Sequence, residues 1–218
     1  MSALSAFLDH IMPDVPGASV ALIQQAVRNA CIELCRESLC YQHTPTAADI
    51  VADQRDYVLS LPASTQVIDV LHAEVSDVEI FPKSDAQLDA LYGVYGIDWR
   101  DIAVTGETAY YQMTDPAKGT IRLVLTPLSA VTGGLEVKLA LAPARDASTV
   151  PDWLLTSKHE AIAHGAKHAL FAMQKKPWSS ADLAVFHGGQ FEAAKGRADT
   201  ATAKGNTRAP LRVSTCYR

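Results

Sequence analysis

The C-terminal third constrains this chain most, because it reads as helix, break, helix and then a basic segment with no core of its own. Leu155, Ile162, Ala166, Ala169, Leu170 and Met173 recur largely at three-and-four spacing and predict a helix from Trp153 to about Gln174. Lys175-Lys176-Pro177-Trp178 ends it. The lysines complement the negative end of the helix dipole, Pro177 cannot continue the helix, and Trp178 can fill the corner of the turn. A second helix, Ser180 to about Lys204, carries a weaker stripe of Leu183, Phe186, Phe191, Ala194 and Ala198, loosened by Gly188-Gly189. Both stripes must be covered.

A partner for them lies near the N-terminus. Leu4 to Ile11 suits a short helix stopped by Pro13 and Pro16-Gly17, and Ser19 suits an N-cap. Val20, Ile23, Val27, Ala30, Cys31 and Leu34 then mark a helix from Ser19 to about Leu39, with Arg28, Glu33, Arg36 and Glu37 mostly opposite. Three such helices can bury a core that none buries alone. Val27, Leu34, Trp153, Ile162, Ala166, Leu170, Trp178, Phe186 and Phe191 are the expected packing residues, with Asp152 as N-cap of the first C-terminal helix.

The middle of the chain changes period. Asp56–Leu61, Gln66–Val75, Tyr110–Met113, Thr120–Leu125 and Leu135–Leu141 read as strands, with Gly133-Gly134 as the turn before the last. Ser84 to Tyr92 reads as a short helix. The expected fold class is α+β. A helical bundle of residues 1–43 and 150–204 holds an inserted small antiparallel β-sandwich or barrel, 44–149, and 205–218 form an extended tail.

Charge is unevenly spread. Residues 1–149 hold 9 Lys and Arg against 19 Asp and Glu, and residues 150–218 hold 10 against 5. An acidic body with a basic end implies different partners at the two ends, and it argues against tight wrapping of nucleic acid. No apolar run approaches the ~20 residues of a membrane span, and the first residues lack the pattern of a secretory signal. Cys31, Cys35, Cys40 and Cys216 follow no metal spacing and are expected to be reduced thiols, with Cys31 and Cys35 as small buried hydrophobes.

No constellation points to catalysis. His159-Glu160 with His164 and His168 invites a zinc reading, but His159 and His164 lie about 140° apart on a helix, and His164 with His168 lacks a third ligand. Gly93-Val94-Tyr95-Gly96 has neither the strand nor the lysine of a phosphate loop. Tyr92, Tyr95 and Trp99 read as a packed loop, since only Arg100 is near enough to support base stacking. Asp98 with Asp101 is what any acidic chain contains, and no serine sits in a nucleophile elbow. No catalytic residue, cofactor or metal is expected.

The tail carries Arg208, Arg212 and Arg218 and no acid. Pro210 bars helix, and Leu211, Val213, Thr215 and Tyr217 alternate with Arg212, Ser214 and Cys216. This is a segment to be ordered by another chain's sheet edge or groove.

Several of these residues resemble one family, the head-to-tail adaptors of tailed bacteriophages, similar to tail tubular protein A. They are Val15-Pro16-Gly17 with Ala26, Ala30, Glu33, Leu34 and Cys35; Tyr57 through Pro62 with Val67 and Val70; and Leu123, Leu125, Pro127 and Val137 through Pro143. Nearest to the family are Pro151-Asp152-Trp153-Leu154, Glu160-Ala161-Ile162, Gly165-Ala166, Pro177-Trp178 and Phe191. The resemblance implies a structural virion protein of the phage neck, assembled in the host cytoplasm. It would form a homo-oligomeric ring of roughly twelve copies between the portal protein and a tail or nozzle protein. Double-stranded DNA would pass through it without sequence preference, and no membrane is involved. The tail residues Arg208, Pro210, Leu211, Arg212, Val213, Tyr217 and Arg218 would then bind the portal. Two other classes stay open: a monomeric β-sandwich that binds a ligand at its aromatic loop, and a tail-associated hydrolase.

Overall fold

The computed structural model describes residues 1–101, 105–106, 109–205 and 207. Strand β1 (Ser2–Ala3) leads through 3-10 turns at Leu4–His10 and Met12–Asp14 into α1 (Val20–Ser38). Then come β2 (Gln42–His43), β3 (Ala48–Ile50), β4 (Asp56–Val58), β5 (Thr65–Val75), β6 (Val78–Glu79), β7 (Phe81–Pro82) and α2 (Asp85–Gly93). β8 (Tyr110–Asp115), β9 (Thr120–Leu123), β10 (Val131–Pro143) and β11 (Thr149–Val150) precede α3 (Asp152–Phe171) and α4 (Ala181–Ala203). The class is α+β. Contacts divide the chain into two compact units, Met1–Tyr41 with Ala142–Arg218, and Gln42–Leu141.

In the first unit, α1 starts where Ser19 Oγ accepts the Leu22 N–H at 3.3 Å. It buries Ile23, Ala26, Val27, Ala30, Cys31, Leu34 and Cys35. The start of α3 differs from expectation. Pro151 occupies the cap position and Asp152 is the first helical residue. Its carboxylate accepts instead from the Met1 ammonium at 2.7 Å and from Ser2 Oγ at 2.6 Å. Both hold its pKa down, the ammonium more. Ser180 Oγ caps α4 by accepting the Leu183 N–H at 3.4 Å, and Lys175, at φ 60°, makes the reversal between α3 and α4.

The second unit has two sheets. One runs β2-β10-β5-β6, with β3 also on β10, and the other runs β4-β9-β8-β7. The expected antiparallel order breaks at β7, which pairs parallel with β8. Gly133-Gly134 is a second correction, for the pair lies inside β10 and makes no turn. The register with β3 shifts between Val131 and Leu135, Gly133 stands at φ 62°, and its N–H donates to Asp49 Oδ1 at 2.7 Å. A side chain at 134 would come within 2.9 Å of Val131 Cβ, so this bulge needs both glycines. α2 opens with a capping box between Ser84 and Gln87. Leu88, Trp99 and Val124 form a buried cluster, with Tyr92 packed against it. Tyr95, expected there too, is 73% exposed.

Candidate functional site

In the helical unit, most of the expected packing residues meet in the core. Val27, Leu34, Ile162, Ala166 and Leu170 are wholly buried, Phe191 and Trp178 are buried, and Trp153 is half-buried with its ring edge-on to Tyr41 at 5.9 Å. Phe186 does not join them, being 55% exposed. The reason is helical phase. The buried positions of α4 are Ala184, Phe191, Lys195 and Ala198. Phe186 lies two residues past Ala184, about 200° round the helix. Its ring instead meets His187 edge-on at 5.2 Å and His164 at 6.4 Å. Leu183 and Val185 beside it are exposed as well.

Small residues set how close the helices come. A Cβ on Gly165 of α3 would lie 2.9 Å from Ala30 Cβ of α1 and 2.9 Å from Phe191 Cζ of α4. Gly188, which had suggested a loosened helix, gives room to a side chain from α3. A Cβ there would lie 2.9 Å from His168 Nδ1, and that nitrogen donates to the Ala184 carbonyl at 2.8 Å.

Polar groups complete the α3–α4 contact. His164 and His187 share a hydrogen bond between Nδ1 atoms at 2.7 Å. Burial holds both histidines below their usual pKa, with Lys167 and, for His187, also His164 adding to it. Lys195 is buried, yet its Nζ meets Glu33 at 2.7 Å, Glu37 at 2.9 Å and Glu192 at 2.7 Å. Burial lowers its pKa, and the three carboxylates outweigh that and hold it well above the ordinary value. Lys195 and His187 escaped the sequence pattern because a buried stripe is sought among apolar residues. The clue available was that Lys195 continues the spacing from Phe191 to Ala198.

The β unit has a polar centre of its own. The buried Arg55 guanidinium donates to the carbonyls of Leu123 at 3.2 Å, Trp99 at 2.8 Å and Arg100 at 3.3 Å, and to that of Val124. Burial, then the nearby Arg122, lowers its pKa. Asp89 takes Trp99 Nε1 at 2.8 Å and both Arg100 terminal nitrogens, at 2.5 and 2.9 Å. Arg100, then Trp99, holds Asp89 down at about 2. Every one of these bonds is internal: Arg55 joins the loop at Trp99 and Arg100 to the end of β9, and Asp89 joins that loop to α2. Among the described residues, no group of three or more His, Cys, Asp or Glu is placed to hold a metal ion, and no helix is long and apolar enough to cross a membrane.

Arg208, Pro210, Leu211, Arg212, Val213, Tyr217 and Arg218 lie outside the described residues. The family model of the SU10 adaptor protein matches residues 1–214. The chain belongs to that family of phage head-to-tail adaptors. No curated protein matches it. The SU10 adaptor match takes in residues of both compact units.

Proposed function

We propose that the chain is a structural neck protein of a tailed phage that closes into a ring of roughly twelve copies between portal and tail. On this reading it does no chemistry, is assembled in the host cytoplasm and lines the passage for DNA. The family match over residues 1–214 carries the reading.

Two features support it. On α4, Leu183, Val185 and Phe186 are 45%, 75% and 55% exposed, which leaves large apolar side chains of one helical turn for a neighbouring copy to cover. The β unit, Gln42–Leu141, holds 14 acidic against 6 basic residues. Fixed negative charge repels phosphate, so this unit suits a conduit that DNA slides past without being gripped. The basic segment from Arg208 to Arg218 is the proposed portal contact, its arginines meeting portal carboxylates in charge-assisted bonds multiplied by the copies in the ring.

Imaging purified protein mixed with portal tests the reading. The expected result is added ring density on the portal, lost on deletion of residues 210–218 with the melting temperature unchanged. Bare portals beside a chain that stays monomeric at every concentration would overturn it and favour the monomeric binder.

A further inference from the structure

The exposed ring of Phe186 is held in place by two histidines. It meets His187 at 5.2 Å and His164 at 6.4 Å, edge-on to both. His187 in turn stacks on Phe171 of α3, with ring centres 5.5 Å apart and planes 17° from parallel. The two imidazoles lie 5.0 Å apart and are joined Nδ1 to Nδ1 at 2.7 Å. His187 is therefore wedged between Phe171 and His164, and Phe186 leans on the edge of that stack.

A bond between two Nδ1 atoms holds a single proton. One imidazole donates and the other must offer a lone pair, so at least one ring is neutral. With both rings cationic, two N–H groups and two positive charges would face each other across 2.7 Å, and the rings must part. The surroundings oppose that second charge. Lys167 and His168 of α3 disfavour it, Glu160 of α3 favours it, and Asp14 favours it but is ion-paired with Lys167 at 2.5 Å. His168 Nδ1 already donates to the Ala184 carbonyl at 2.8 Å. His10 and His159, with rings 5.2 Å apart, line one small cavity with His164, Glu160 and Lys167. Lys158 and Arg197 line a groove with His164 on its other side. Burial first, then these cations, hold both histidines below 6.5, so the second proton arrives only in acid.

We propose that His164 and His187 are positioning residues that make the contact between α4 and a neighbouring copy depend on protons. While the Nδ1–Nδ1 bond stands, Phe186 is set for the neighbour. When both rings are charged, the bond is lost, Phe186 loses its support and the copies separate. This rests on the subunit contact proposed above.

The test is sedimentation of the full chain with portal at about pH 7.5 and about pH 5, on either side of the ordinary histidine range. Wild type should run as a ring-sized species at the higher pH and lose that species at the lower. His187→Gln, which takes no charge, should keep it at both. A wild-type chain that stays monomeric at the higher pH overturns the subunit contact, and this inference with it. Wild-type rings at both values, or rings lost in acid from both proteins, overturn this inference alone. Should His187→Gln fail to assemble at the higher pH, proton NMR of the unsubstituted chain decides. The ring signals of Phe186 should shift with the second of two histidine titration steps, and signals that stay in place through both steps contradict the proposal.

Discussion

Along α1 the inward positions are Ile23, Ala26, Val27, Ala30, Cys31, Leu34, Cys35 and, at its last turn, Ser38, whereas along α4 they are Ala184, Phe191, Lys195 and Ala198. α1 spends nearly all its apolar side chains on the core of its own unit. α4 keeps Leu183, Val185 and Phe186 outside and fills its inner face with small residues, one phenylalanine and one lysine. The lysine is tolerated because its stem packs inward while Nζ, 5.0 Å from the Phe191 ring centre, reaches three half-exposed carboxylates. The difference teaches that α1 covers its large apolar side chains within its own unit, Val20 apart, while α4 leaves Leu183, Val185 and Phe186 exposed on the face proposed above for a neighbouring copy.

The contrast breaks most visibly if inward and outward charges cost the same. Leu34→Asp buries an unpaired charge in α1 and should cost about 4–5 kcal/mol or abolish folding. Phe186→Asp on α4 should change stability by no more than ~0.5 kcal/mol. Equal shifts in melting temperature would contradict the burial assigned to the two helices.

Lys195→Met asks whether the inner face of α4 depends on its charge centre. Loss of three charge-assisted bonds should cost about 2–3 kcal/mol, held to that range because the carboxylates are half-exposed. A variant at least as stable as wild type by denaturant titration would show the lysine to be dispensable. Gly165→Ala tests the closest approach of α1, α3 and α4. The added methyl meets Ala30 and Phe191 and should cost about 1–2 kcal/mol, and a gain in stability would mean the helices are looser than they stand.

The smallest expected effect concerns acid. His164 and His187 have folded pKa values below the usual 6.5. The unfolded chain therefore binds protons first as pH falls past that value. Stability drops with acid from there until the pH passes below the lowered values, and nothing is gained above 6.5. His72 in the β unit runs the other way. Glu74, then Glu79, raises its pKa, so its contribution is present below 6.5 and fades as pH rises through the raised value. His187→Gln should narrow the fall in melting temperature between about pH 7.5 and 5.5, and an unchanged fall would remove the histidine pair as its source.

What was legible in the sequence follows the same divide. α1 could be read with its cap because its apolar residues at helical spacing point inward, apart from Val20 in its first turn, which is exposed. α4 could be placed but not oriented, since Phe186 and Leu183 carry the pattern of a core and Lys195 does not. The α3 start was placed but its cap misassigned, because only the folded chain brings Met1 and Ser2 to Asp152. Alternation marks β4, β5, β8, β9 and β10, but β1, β2, β3, β6, β7 and β11, of two or three residues each, are too short to show it; the bulge at Gly133 looks like a turn, and the parallel β7–β8 pair leaves no local signal. The adaptor reading came from scattered residues such as Gly165-Ala166 and Pro177-Trp178, whose packing roles only the structure displays.

Sedimentation of wild-type and Phe186→Asp protein, each mixed with portal, tests most directly whether the outer face of α4 belongs to a neighbouring copy. Wild type should move as a ring-sized species on the portal. Phe186→Asp should stay monomeric beside bare portal with its melting temperature unchanged. If the variant assembles as well as wild type does, that face of α4 is not the subunit contact.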